Sequence, residues 1–132
     1  MKVVLTTGRR KTALARATVK DGNGRVFVNR RALKIYEPEL VRLKILEPLN
    51  MVPELSKRVD IDVDVKGGGY MGQADAARTA IARGLIEWSG DPQVREIFKQ
   101  YDWTLIKSDV RFKESKKPGG RGARAKFQKS YR

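Results

Sequence analysis

The period of the apolar positions changes several times along this chain. "KVVLTT" is a short β-branched run that predicts a strand, and "GRRK" is expected to interrupt it. From Lys11 to Lys20 the residues alternate. Ala13, Ala15, Ala17 and Val19 fall on one side; Thr12, Leu14, Arg16, Thr18 and Lys20 fall on the other, the period of a half-buried strand. Because the inward side is mostly alanine, a helix is expected to lie close to it. "DGNG" at Asp21 to Gly24 predicts a hairpin, since Asn and Gly accept positive φ, with "RVFVN" as the returning strand.

The spacing then becomes helical. Pro38 suits a first helical turn. Leu40, Leu43 and Leu46, flanked by Val41 and Ile45, form a wide apolar face, and Pro48 is expected to end or kink the helix near Glu47. "KRVDIDVDVK" returns to period two, with Ile61, Val63 and Val65 opposite Asp60, Asp62 and Asp64. Past a glycine-rich turn, "QADAARTAIARGLIEW" predicts a helix with Ala74, Ala77, Ile81, Leu85 and Trp88 on one face and Gly90 closing it. Asp91 and Pro92 read as the cap and first position of another helix, striped by Val94, Ile97, Phe98 and Tyr101. After "WTLI" the periodicity stops.

Strand, strand, strand, helix, strand, helix, helix is an α+β order. It predicts a small mixed sheet with helices packed on one face. The expected division is a globular domain over residues 1–106 and an extended basic tail over 107–132.

Charge changes the picture most. The chain has 132 residues, with 29 Lys and Arg against 15 Asp and Glu, a net charge of +14. A surplus of that size attracts polyanions: nucleic acid, an anionic membrane or an acidic protein. Cys and His are both absent. That removes disulfides, thiol nucleophiles, imidazole bases and nearly all zinc sites. No apolar run approaches the roughly 20 residues of a membrane span, and the amino end lacks the form of a signal peptide. A soluble intracellular protein is expected.

Four constellations could carry chemistry. Gly67, Gly69 and Gly72 match G-x-G-x-x-G between a strand and a helix. A dinucleotide fold would then need a second parallel strand and an acid roughly 20 residues on, and the sequence offers another helix instead. The glycines serve either a tight strand–helix junction or a helix N-terminus that offers its N–H groups to an RNA phosphate. Asp60, Asp62 and Asp64 could hold Mg²⁺, but a flat strand spaces them about 6–7 Å apart. They read instead as the wet face of a strand, paired with nearby Lys and Arg. Arg9, Arg10 and Lys11 form a cationic knot, and no acid precedes Asp21. A solvated turn is the plain reading, but phosphate contact is favoured because these charges have no local partners. Arg78 and Arg83 are ambiguous.

The tail is the most telling stretch. Arg111, Lys113, Lys116, Lys117, Arg121, Arg124, Lys126, Lys129 and Arg132 face a single acid, Glu114. Gly119, Gly120 and Gly122 interrupt any helix. Such a segment buries too little apolar surface to order itself, so it is expected to be disordered until it folds on nucleic acid. A solubility tail, nuclear import and membrane attachment are the weaker readings. Its 26 residues could extend roughly 85–95 Å, against a body radius of gyration of about 13 Å. That reach suits a thread between RNA helices.

"GRRKTALARATV", "YEPELVRLKILEPL", "GGGYMGQADAARTAIARGL" and "SDVRFKESKKPGGRGARAKFQKSYR" together resemble the small-subunit ribosomal protein S-nine family over essentially the whole chain. The form of the terminus is closer to the archaeal and eukaryotic cytosolic branch. The resemblance implies the fold of the second domain of ribosomal protein S-five. It implies binding to small-subunit rRNA in the head, beside neighbouring ribosomal proteins, without catalysis, cofactor, metal or membrane. On this likeness the tail threads through rRNA, and its end approaches the anticodon stem of the peptidyl-site tRNA. The family's terminal arginine matches Arg132. Bacterial members tend to end Ser-Lys-Arg, so Tyr131 stands where they have a cation and offers stacking or a hydroxyl instead. Lys129, Tyr131 and Arg132 are thus the expected tRNA contacts. Arg9, Arg10 and Lys11, with the tail cations from Arg111 to Lys126, are the expected rRNA contacts.

Overall fold

A computed structural model describes residues 3–36, 39–102 and 105–106. β1 (Val3–Arg10) and β2 (Ala13–Asp21) pair antiparallel, with Arg10 opposite Ala13. "GRRK" therefore interrupts less than its charge suggests. Gly8, Arg9 and Arg10 continue the ladder, and only Lys11 and Thr12 make the turn.

β5 (Val59–Lys66) lies antiparallel to β2 on one side and parallel to β3 (Val26–Val28) on the other. With β4 (Arg31–Ala32) at the edge, the order is β1-β2-β5-β3-β4. This corrects the hairpin expected at "DGNG": β5 inserts between β2 and β3, so the two strands never pair. The loop is stapled to the start of β5 instead. The N–H groups of Gly22 and Gly24 donate to the Arg58 and Val59 carbonyls, and those of Asn23 and Arg25 donate to Asp60 Oδ1. A parallel β3–β5 pair needs a long crossover, and the helical segment between them supplies it.

The tight hairpin is one the sequence hid. β3 and β4 are joined by Asn29 and Arg30, both with positive φ (50° and 68°). That pair of conformations defines a type I′ turn, which usually carries Gly.

A single 3-10 turn (Leu33–Ile35) leads to α1 (Glu39–Met51) and the short α2 (Pro53–Ser56). Pro38 lies outside the described residues. Two expectations for α1 are corrected. Its buried stripe is Val41, Ile45, Pro48 and Leu49, whereas Leu40 and Leu43 are exposed. Aliphatic residues crowd that stretch on every side, so its period could not select a face. Of the end or kink expected near Glu47, the end does not occur there. The helix carries Pro48 within it, and the core contacts of Pro48 and Leu49 offset the backbone bond the ring removes.

α3 (Tyr70–Ser89) lies against β1, β2 and α1, with Ala74, Ala77, Ile81 and Leu85 fully buried. It ends as expected at Gly90, whose φ is 63° and whose N–H donates to the Ile86 carbonyl. α4 (Pro92–Tyr101) begins at Asp91, which accepts a hydrogen bond from the Gln93 N–H at 2.9 Å. Val94 and Phe98 are buried, while Ile97 and Tyr101 face out. The alternation in β2 and β5 resolves as read, with Ala13, Ala15, Ala17, Val19 and the β5 aliphatics buried. The helices cover that face. The opposite face carries Leu5, Thr7, Arg9, Arg16, Asp62 and Asp64, all exposed.

Candidate nucleic-acid interface

The β1–β2 turn, the exit of β5 and the head of α3 meet at one end of the sheet. Arg9 faces out at the end of β1, and its register partner Leu14 is in turn paired with Lys66 of β5. Lys11 is exposed at the turn, with a left-handed φ of 54°. The chain then passes through Gly67 and Gly68, also left-handed at φ 81° and 68°, into α3. A Cβ on Gly67 would collide with the Thr12 carbonyl. This glycine is therefore explained by the tight junction between the two turns. The Gln73 side chain closes the loop by donating to the Gly67 carbonyl at 3.1 Å. Gly69 leaves the start of α3 without a side-chain cap, and Tyr70 and Met71 are exposed there. Cations, uncapped N–H groups and an exposed aromatic ring thus share one corner, a combination suited to a phosphate and a base.

Arg10 differs from its neighbours. It points to the helical side, where Nε lies 3.7 Å from Asp75 Oδ2 on α3. Asp75 also binds Lys44 Nζ at 2.9 Å. Arg10 thus has an acidic partner, though not a local one: Asp75 comes from 65 positions along the chain. Arg9 and Lys11 remain open to solvent.

Arg78 and Arg83, ambiguous in sequence, both hold the body together. Arg78 is 8% exposed. Its Nη2 lies 2.8 Å from Glu47 Oε2 on α1 and 3.2 Å from Asp102 Oδ2 just past α4. Arg83 Nε donates to the Ile106 carbonyl at 2.7 Å and its Nη1 to the Thr7 carbonyl at 2.9 Å. The spacing does place Arg78 on the predicted apolar face, four residues after Ala74 and three before Ile81, a sign of burial that its charge masks; nothing in the pattern distinguishes Arg83 from a surface cation.

The alternative chemistries find no geometry. After α3 comes α4, and no strand follows among the described residues, so the glycines do not open a dinucleotide fold. Asp60, Asp62 and Asp64 stand along one face of β5. Lys20 and Arg16 are opposite Asp60 and Asp64 in register, and among the described residues no three acidic groups converge. The Asp60 carboxyl is held below its ordinary value, chiefly by the Arg25 N–H, with smaller help from the Asn23 N–H and the Arg25 and Lys20 charges against the opposing effect of burial. Among the described residues no helix is long and apolar enough to cross a membrane. The expected tail contacts, Arg111, Lys113, Lys116, Lys117, Arg121, Arg124, Lys126, Lys129, Tyr131 and Arg132, lie outside the described residues.

Comparison with known proteins agrees with this picture. The family model described as ribosomal protein S9/S16 matches residues 8–132. The small ribosomal subunit protein uS9 of Methanothrix thermoacetophila is 57% identical over 132 residues, covering all of both chains. That of Halobacterium salinarum is 56% identical over 98% of this chain and 99% of its own. That of Thermoplasma volcanium is 55% identical, again over the whole of both. The family is structural rather than enzymatic. With matches that run through the body and the basic carboxyl-terminal stretch alike, the chain belongs to the ribosomal protein S9/S16 family.

Proposed function

We propose that the protein is a structural part of the small ribosomal subunit in the cytoplasm, bound to rRNA and to neighbouring ribosomal proteins of the subunit head. Its globular body, residues 1–106, docks on folded small-subunit rRNA through Arg9 and Lys11, with Arg10 and the turn before α3 behind them. The tail, residues 107–132, threads between rRNA helices. There Arg111, Lys113, Lys116, Lys117, Arg121, Arg124 and Lys126 neutralise phosphates that would otherwise repel one another. Lys129, Tyr131 and Arg132 reach the anticodon stem of the peptidyl-site tRNA, where Arg132 supplies a charge-assisted hydrogen bond to a phosphate. No cofactor, metal or membrane enters this role.

The observation that carries the reading is the exposed pair Arg9 and Lys11 beside the uncapped start of α3, in a chain of net charge +14 whose full-length relatives are small-subunit proteins. Binding of the full chain to a small-subunit rRNA transcript tests it. By the duplex rule, about 6–10 phosphate contacts lower affinity on the order of 10³–10⁵-fold between 50 and 200 mM salt, with a shallower slope expected for RNA. Replacing Arg9 and Lys11 with alanine should weaken binding and flatten that slope; a flat response in the native chain refutes the reading. For the tail, subunits carrying the protein without Arg132 should assemble normally yet hold peptidyl-site tRNA less well. Unchanged tRNA retention would remove that contact from the proposal.

A further inference from the structure

We infer that the β3–β4 hairpin is a second phosphate contact of the body. With Lys11 and Lys66 it forms one cationic rim that grips the backbone of a single RNA segment. The inference rests on rRNA being the partner and adds residues to that interface, Arg30 and Lys66 above all.

Strand directions place the rim. β1 rises to Lys11, β5 runs antiparallel to β2 and exits at Lys66 on that same end, and β3 runs parallel to β5. The Asn29–Arg30 turn therefore emerges at the same end. Two hydrogen bonds fix it there: the Asn29 N–H donates to the Val63 carbonyl at 2.8 Å, and Asn29 Oδ1 accepts from the Val65 N–H at 2.8 Å. Neighbouring strands lie about 4.8 Å apart. Lys11 projects between β1 and β2, Lys66 ends β5, and Arg30 projects between β3 and β4. The three thus span about three strand spacings, roughly 14 Å, with the lysine of β5 between the two tips.

Backbone conformation gives the second argument. Among the described residues three non-glycine positions have positive φ: Lys11, Asn29 and Arg30. Asn tolerates the left-handed region, whereas Lys and Arg are disfavoured there, and glycine would be the easy choice. Both strained cations stand at hairpin tips on the same sheet end. Residues kept against local preference point to a use for their side chains.

The third argument is charge. From Gly22 to Tyr36 the chain carries Arg25, Arg30, Arg31 and Lys34 and no acid. Among the described residues no ion pair reaches Lys11, Lys66 or any of these four. A guanidinium at Arg30 can take a phosphate through two N–H groups, and the lysines act as point charges beside it. The contact reads no base. It fixes where the body sits along a strand.

The test is the affinity of the full chain for a small-subunit rRNA transcript over a salt series, with thermal unfolding of each variant alongside. Arg30→Gly removes charge and relieves the backbone together. It should unfold no earlier than the native chain, bind several-fold more weakly, and lower the salt slope by about one. Lys66→Ala should lower affinity and slope similarly. Should Arg30→Gly unfold early, Arg30→Asn, which tolerates the same backbone without the charge, carries the measurement. Arg95→Ala, on the exposed face of α4, should change neither affinity nor slope. If Arg9→Ala/Lys11→Ala weakens binding while Arg30→Gly, Arg30→Asn and Lys66→Ala all bind like the native chain, the rim is overturned and the Arg9–Lys11 docking site stands. If Arg9→Ala/Lys11→Ala is also without effect, the rim and that docking site fail together.

Discussion

Arg83 joins the last described residues to the edge of the sheet: its Nε donates to the Ile106 carbonyl at 2.7 Å and its Nη1 to the Thr7 carbonyl at 2.9 Å. Five residues earlier on the same helix, Arg78 holds Asp102. Between these two ties Leu105 is fully buried and its N–H donates to the Asp102 carbonyl. α3 thus grips the segment before residue 107 at two points and seals it with one leucine. The described root of the basic stretch, the segment before residue 107, is thus held by side chains of α3, the longest helix among the described residues, on the β1 side of the fold.

Arg83→Ala should therefore loosen that root more than it loosens the body. Each bond from a charged donor is worth about 1.5–3 kcal/mol, but Arg83 is half-buried and water can replace part of it. A global loss of about 1–2 kcal/mol is expected. The Leu105 amide should lose protection against hydrogen exchange by far more than amides in β2. Arg83→Lys should recover only part of the loss, since one ammonium lacks the fork that spans two carbonyls. Equal loss of protection at Leu105 and in β2 would show a general destabilisation and refute the local tie.

The alanine and glycine layer between α3 and the sheet makes a second prediction. A Cβ on Gly84 would lie 2.6 Å from Val19 Cγ2, and a Cβ on Gly8 would meet the Ala76 carbonyl and lie 2.7 Å from the Ala80 nitrogen. At Gly84 the nearest neighbours are side chains, a methyl of buried Val19 and the Thr6 hydroxyl at 3.2 Å, which yield more readily than helix backbone. Alanine also gains about 1 kcal/mol of helix propensity there, against an overpacking cost of about 1–3 kcal/mol. At Gly8 the neighbours are helix backbone and cannot move. Gly8→Ala should cost about 3 kcal/mol or more, and Gly84→Ala clearly less, by denaturant unfolding. The reverse order would mean that α3 shifts easily on the sheet.

These contacts also show where the sequence was informative. The period of β2 and β5 is unambiguous because each alternates small or branched apolar residues with polar ones. The α3–α4 boundary was legible because Gly90, Asp91 and Pro92 each suit one backbone position only. What stayed hidden was long-range. "DGNG" says that the chain turns but not which strand it meets, and β5 arrives from 35 or more residues away to accept its N–H groups. The Asn29–Arg30 turn lacks the glycine that would announce it. Half of the interface corner was visible in Arg9, Arg10 and Lys11. Lys66 and Arg30 come to the same end of the sheet only through strand directions, and Arg10 is turned toward Asp75 on the helical side by a contact 65 positions along the chain.

Arg78 makes a third prediction. One buried guanidinium faces two carboxylates, each about one-third exposed, from α1 and from just past α4. Arg78→Met keeps the apolar stem and removes the charge. Glu47 and Asp102 can rehydrate in part, so the loss should be about 1–3 kcal/mol rather than the full cost of stranding a buried ion. Adding Glu47→Gln to Arg78→Met should cost less than the separate effects combined, because the carboxylate no longer lacks its partner. Strict additivity in that cycle would mean the two residues do not interact.

The "DGNG" loop supplies a prediction in pH. Asp60 Oδ1 accepts the N–H groups of Asn23 and Arg25 at 3.0 Å each. The Arg25 N–H is the main cause of the carboxyl's lowered pKa, and the Asn23 N–H and the Arg25 and Lys20 charges add to it against burial. A carboxyl more acidic in the folded than in the unfolded chain stabilises the fold at all pH values above its unfolded value, near 3.8. Below that value the unfolded chain takes up the proton first, and the contribution fades as pH falls through the folded value. Asp60→Asn keeps the shape and an acceptor oxygen but cannot ionise. The native chain should thus be more stable than the variant by a constant margin from pH 7 down to about pH 5. The margin should then shrink below pH 4 as the native carboxylate protonates. Urea unfolding of both proteins across that range measures it: no margin at pH 7 would assign the loop's hold to the shape of the side chain, which Asn keeps, and a margin unchanged at pH 2 would show that it does not come from ionisation of Asp60.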